Sequence, residues 1–117
     1  MVRLLLVPLL VLLSTFAVAG SKQEIAHLLD FVEHSECSYQ RNGTDHSGEE
    51  ARKHIQKKYD YYAKKIKTAE DFIAYSATKS ALSGKKYTIN CAGKEVLFSS
   101  DWLNVELNRY REQSVVK

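Results

Sequence analysis

The sequence predicts a small α+β domain: about four helices with a short two- to three-stranded antiparallel sheet, closed by one disulfide. Three observations predict it. Helix-start signals are each followed by apolar residues at helical spacing. Short strand-like runs break at Asn42-Gly43 and Ala92-Gly93. Cysteine occurs only at Cys37 and Cys91.

The elements follow in chain order. Met1-Val2-Arg3 is a short positive start, Leu4 to Leu13 is apolar except for Pro8, and Ala17-Val18-Ala19 ends the run. This is the layout of a secretory leader, with cleavage expected between Ala19 and Gly20. A spanning anchor would need roughly 20 apolar residues, more than this stretch supplies. No cysteine follows the cut, which disfavours a lipoprotein. Residues 20–117 then form one domain with one modest core. The whole chain carries a formal charge of +3, and losing Arg3 brings it closer to neutral. Neither nucleic acid nor an anionic membrane is therefore expected as partner, and no second apolar run calls for membrane insertion.

Ser21-x-x-Glu24 reads as a capping box, with Ile25, Leu28, Leu29 and Val32 forming the apolar stripe of a helix to about Ser35. Ser47-x-x-Glu50 is a second box. Ala51, Ile55, Tyr59, Tyr62 and Ile66 follow as one stripe, with Arg52, Lys53, Lys57, Lys58 and Lys64 on the other face. Thr68 to Asp71 opens a third helix with acid in its first turn, where the helix dipole favours it. Phe72, Ile73 and Ala77 are its buried edge. Ser99 or Ser100 starts a fourth, with Trp102, Leu103, Leu107 and Tyr110 inward. Between them, Ser38 to Arg41 is a strand that ends at Asn42-Gly43. Lys86 to Cys91 and Lys94 to Phe98 read as a hairpin.

In an exported chain two cysteines are most simply one bridge. Closing a loop of about 55 residues would stabilise the fold by about 4 kcal/mol. The alternatives are free thiols or a metal site. A zinc site would need two further ligands, and none lies at close spacing to either cysteine.

Several pieces then line up. Cys37-Ser-Tyr-Gln-Arg-Asn-Gly43 precedes a helix containing Ala51 and His54. Thr68-Ala-Glu-Asp-Phe-Ile73, Ala77-Thr-Lys-Ser-Ala-Leu-Ser-Gly-Lys-Lys-Tyr87 and Trp102-Leu103 follow in order. Together they resemble the YfeK-like family of small secreted bacterial proteins of unknown function, over about Glu24 to Arg111. The resemblance implies a periplasmic or secreted bacterial protein and supports a Cys37–Cys91 pairing. It also suggests a structural role for His54, and it implies no reaction. Lys86 stands where many relatives resemble one another in having proline, which implies a looser loop here.

The candidate ligand-binding residues are Arg41, Asn42, His54, Ser80, Ser83, Lys85 and Tyr87. Arg41 and the amides at the start of the second helix could hold a carboxylate or phosphate. The plainer alternative is a simple turn at Asn42-Gly43, with Arg41 paired to Glu49 or Glu50. Ser83-Gly84-Lys85 hints at a phosphate loop, but Lys79 stands where the Walker pattern wants glycine. Ser76-x-x-Lys79 has the spacing of an acyl-enzyme nucleophile and base, on a scaffold too small for the remaining machinery. His46, Glu50 and His54 are spaced for a metal only if one helix is continuous through Ser47-Gly48, so no metal site is assigned. No cofactor is expected. The cations around Tyr59, Tyr61 and Tyr62 read as a solvated helix face.

These residues favour a binding or interaction module of the bacterial envelope, with an envelope protein as the expected kind of partner. A small-anion binder using the Arg41 turn and the Ser83–Lys85 loop is the next reading. An inhibitor or immunity-type protein is a third, and a small hydrolase or metal-dependent enzyme is the least favoured.

Overall fold

A computed structural model of the chain describes residues 20–115. The leader expected over residues 1–19 lies outside the described residues. The elements run α1 (Ser21–His34), β1 (Ser38–Arg41), β2 (Thr44–His46) and α2 (Gly48–Tyr61). A 3-10 turn (Ala63–Lys65) leads into α3 (Ala69–Ser76), β3 (Thr88–Asn90), β4 (Leu97–Phe98) and α4 (Ser99–Val115). The α+β class and the number of helices are as the sequence predicts. The sheet has four strands in the order β2-β1-β3-β4, all neighbours antiparallel, rather than two or three.

The added strand is β2. Asn42 and Gly43 both take positive φ, 53° and 77°, and return the chain so that Arg41 faces Thr44 and Tyr39 faces His46. Asparagine and glycine tolerate that backbone where a branched residue would not. Cys37 and Cys91 flank the β1–β3 pairing, just outside the Ser38–Asn90 pair, and they form the disulfide. The bridge therefore fastens the strand that follows α1 to one that arrives 54 residues later.

Two helix caps are local and match the sequence. Ser47 accepts from Glu50 N at the start of α2, and Thr68 does the same for Asp71 N at the start of α3. The box expected at Ser21 does not form. Gly20 is the N-cap, Ser21 is already helical, and the Glu24 carboxylate turns to α4 instead. The long stripe expected through Ile66 is also interrupted. α2 stops at Tyr61, and the 3-10 turn carries Ile66 into the core by a different route.

α1 packs against each of the other three helices, while α2 covers β1 and β2 and α4 covers β3 and β4. Leu28, Val32, Ile55, Phe72, Leu103 and Leu107 fill the centre, with Tyr39 and Ile89 as the inward residues of the sheet. Gly48 sets the closest approach of α2 to α1: a Cβ there would lie 2.6 Å from Glu33 O, inside any van der Waals contact. Among the described residues no helix is long and apolar enough to cross a membrane.

Candidate functional site

Arg41 ends β1 and reaches across to α2, where its Nη1 donates to His54 Nδ1 at 2.9 Å. Accepting that bond requires His54 to be neutral, with its proton on Nε2. Burial, then Arg41, then His46 push the His54 pKa below its ordinary value, in agreement with that tautomer. The expected pairing of Arg41 with Glu49 or Glu50 does not form. Glu50 is engaged by the Ser47 cap and by His46 Nδ1 at 3.3 Å.

One turn further along α2, Lys58 Nζ donates to Lys79 O at 2.6 Å and to the Tyr87 hydroxyl at 3.2 Å. No carboxylate touches it. Burial, reinforced by Arg41, lowers its pKa. Tyr87 is itself buried, which raises the pKa of its phenol.

The loop from Ser80 to Lys85 closes on itself. Ser80 Oγ accepts from Leu82 N, Ser83 N and Asn42 Nδ2, while Ser80 N and Ser80 O bond Lys85 O and Gly84 N. Ser83 Oγ donates to Asn42 Oδ1 at 2.6 Å. Asn42 thus ties the β1–β2 turn to this loop from both ends of its amide.

Together these parts frame an open cleft of about 350 Å³. Of the sequence-predicted residues, Arg41, Asn42, Ser80 and Tyr87 line it. His54 stands behind Arg41 and positions it. Ser83 and Lys85 are not among the lining residues: Ser83 fixes Asn42, and the Lys85 backbone closes the loop. The remaining lining was not anticipated. Lys57, Lys58, Tyr61 and Tyr62 come from the α2 face read as solvated, and Ala81 and Leu82 from the loop tip. The interleaving of lysines and tyrosines from Lys57 to Tyr62 was the signal that could have found them.

The cleft holds three cations and no carboxylate among its lining residues. A second hollow of about 540 Å³ on α2 differs in kind. It mixes Glu33, Glu49 and Glu50 with Arg52, Lys53 and Lys57, the last shared with the cleft, and Arg52 is already bonded to Asp30 at 2.7 Å and Glu33 at 2.8 Å. Beneath the cleft, Tyr39, Arg41, His54, Lys58, Ser76 and Tyr87 surround a small closed void with no room for a water molecule. Ser76 Oγ is fully buried there without a hydrogen-bond partner, so the Ser76–Lys79 pairing of an acyl enzyme is not formed. Among the described residues no group of three His, Cys, Asp or Glu side chains is arranged to hold a metal ion.

The fold and the cleft define a small single-disulfide α+β domain that gathers uncompensated positive charge beside an exposed tyrosine, Tyr61. The chain belongs to a family of unknown function, DUF5329, whose profile matches residues 19–111 and so covers every element through most of α4. No curated protein and no solved structure matches it.

Proposed function

We propose that this is an exported, YfeK-like binding protein of the bacterial envelope and that its cleft takes an anionic ligand. One observation carries the reading: Arg41, Lys57 and Lys58 line a single cleft in which no carboxylate answers them. Holding the desolvated Lys58 ammonium beside Arg41 is costly, and a bound anion offsets that cost. Arg41 presents a planar fork suited to a carboxylate or phosphate, held in place by His54. Lys58 supplies a point charge whose lowered pKa would rise again on binding. Export is supported by the Cys37–Cys91 disulfide and by a family match that begins at residue 19, where the expected leader ends.

Titration with inorganic phosphate and with acetate, read by thermal denaturation, tests the ligand. At about a hundredfold excess over Kd a specific anion stabilises the fold by about 2.7 kcal/mol. Arg41→Ala abolishes the shift. Affinity declines as pH climbs through the lowered pKa of Lys58, below its ordinary 10.5, because the deprotonated amine no longer attracts an anion. No stabilisation by either anion, or an equal effect in Arg41→Ala, would reject the cleft. Export has its own readout: the protein recovered from the periplasm should begin at Gly20, and an intact leader in the cytosol would reject it.

A further inference from the structure

The cleft does not end at Tyr61 and Tyr62. Both rings also line a neighbouring hollow of about 570 Å³, whose other walls include Lys64 and Lys65 from the 3-10 turn. The two hollows form one continuous face. It carries Arg41, Lys57, Lys58, Lys64 and Lys65, and Asp60 is the sole acid in its lining. Asp60 is held by Gln56 Nε2 at 2.9 Å. None of the five cations pairs with a carboxylate among the described residues, whereas Arg52, Arg109 and Arg111 all do. The near-neutral total conceals this segregation.

Two apolar groups stand out of the same face. Leu82, at the loop tip, is 98% exposed, and Tyr61, at the end of α2, is 82% exposed. An isolated exposed leucine is ordinary, but this one lies across a cationic cleft from an exposed tyrosine. Tyrosine places an apolar ring and a polar hydroxyl across a wet–dry boundary. Lysines extend their charge on flexible apolar stems. We propose that this face docks onto an anionic lipid surface. The lysines and Arg41 meet headgroup phosphates, while Leu82 and Tyr61 enter the headgroup layer without any segment crossing it. The inference goes beyond the cleft ligand and shares only part of its residues.

Co-sedimentation with vesicles of phosphatidylcholine, with and without phosphatidylglycerol, tests it on protein purified as the cell processes it. Binding is expected only with phosphatidylglycerol, and it weakens as salt is added. Each lysine near such a surface contributes about a fivefold change in partition, so Lys64→Glu with Lys65→Glu lowers binding by at least about twentyfold. Leu82→Ser lowers it by about fivefold. Val105→Ser, at an exposed α4 position outside both hollows, binds like the parent. All these sites are exposed, so folding is preserved.

Equal binding to phosphatidylcholine alone would overturn the proposal, as would no binding at low salt or indifference to these substitutions. Polyglutamate that binds as strongly as the anionic vesicles would assign the face to an acidic polypeptide and overturn it too. The phosphate titration reads the cleft separately. A protein that binds phosphate and ignores vesicles keeps the ligand and loses the docking face, and the reverse result keeps the face alone.

Discussion

Arg111 and Arg41 are both partly buried guanidinium groups, and their surroundings could hardly differ more. Arg111 sits on α4 between two carboxylates, donating to Glu24 at 2.7 and 3.0 Å and to Glu70 at 2.9 and 2.8 Å. Those bonds tie α1, α3 and α4 together and raise the arginine pKa further. A turn earlier, Glu106 receives Arg109 at 2.7 and 2.6 Å and His27 at 2.6 Å, while the His27 ring stacks on Tyr110 at 4.0 Å. Arg41 bonds a neutral imidazole and pairs with no carboxylate among the described residues. Charge balanced inside the molecule is structural, and charge left unbalanced points outward. The contrast separates a latch from a site.

The contrast breaks most visibly at the latch. Arg111→Ala leaves Glu24, 5% exposed, without its ion partner. Fully buried pairs lose about 3–5 kcal/mol on such a cut. The arginine side chain is 38% exposed, and solvent screening lowers the expectation to about 2 kcal/mol. Tm should fall by about 10 °C, with phosphate affinity unchanged. Loss of affinity together with stability would mean that latch and cleft are one system.

The next effect belongs to the cleft. Lys58→Met removes a desolvated ammonium and keeps its stem. Anion affinity should fall about tenfold or more, while stability stays within about 0.5 kcal/mol. Calorimetric titration beside a denaturant melt reads both. A destabilisation equal to that of Arg111→Ala would place Lys58 in the framework.

Acid separates the two regions more gently. Burial alone would raise the Glu106 carboxyl, but the bonds from Arg109 and His27 outweigh it and lower its pKa; Arg111 lowers that of Glu70. Their contribution is present above the unfolded carboxylate value of about 4.5 and is lost as pH falls through the folded values. The effect of His54 sets in at higher pH. Because its folded pKa lies below its ordinary 6.5, the unfolded chain binds the proton first. Stability therefore begins to fall as pH drops through 6.5, well before the latch responds. His54→Gln should flatten the denaturation midpoint between pH 6.5 and the onset of carboxylate titration. An unchanged slope would remove His54 from the account.

How far this division could be read in advance depends on sequence distance. The Ser47 and Thr68 caps were legible because donor and acceptor are three residues apart. Ser21 had the same signature and failed, because Glu24 is claimed by Arg111 from 87 residues away. β2 was missed because Thr44-Asp45-His46 lies at the sheet edge, with no apolar alternation to announce it. The cleft was half legible. Arg41, Asn42, Ser80 and Tyr87 came from turn chemistry and family resemblance. Lys57 and Lys58 looked like any solvated helix face, since nothing local says that the Ser80 loop will close over them.

The smallest effect tests the boundary between the two regions. Ser76 ends α3, fully buried, with its hydroxyl unpartnered in the void under Arg41, His54 and Lys58. An unanswered buried hydroxyl costs free energy, and Ser→Ala removes it, leaving the Cβ as a methyl group and deleting a single heavy atom. Ser76→Ala should raise stability by about 0.5–1 kcal/mol in a denaturant melt, the opposite sign to most core substitutions. Phosphate affinity should stay as it is, because the void admits no water and hence no ligand. If Ser76→Ala instead destabilises the fold or weakens anion binding, the hydroxyl is in use, and the site reaches one layer deeper into the core than the cleft.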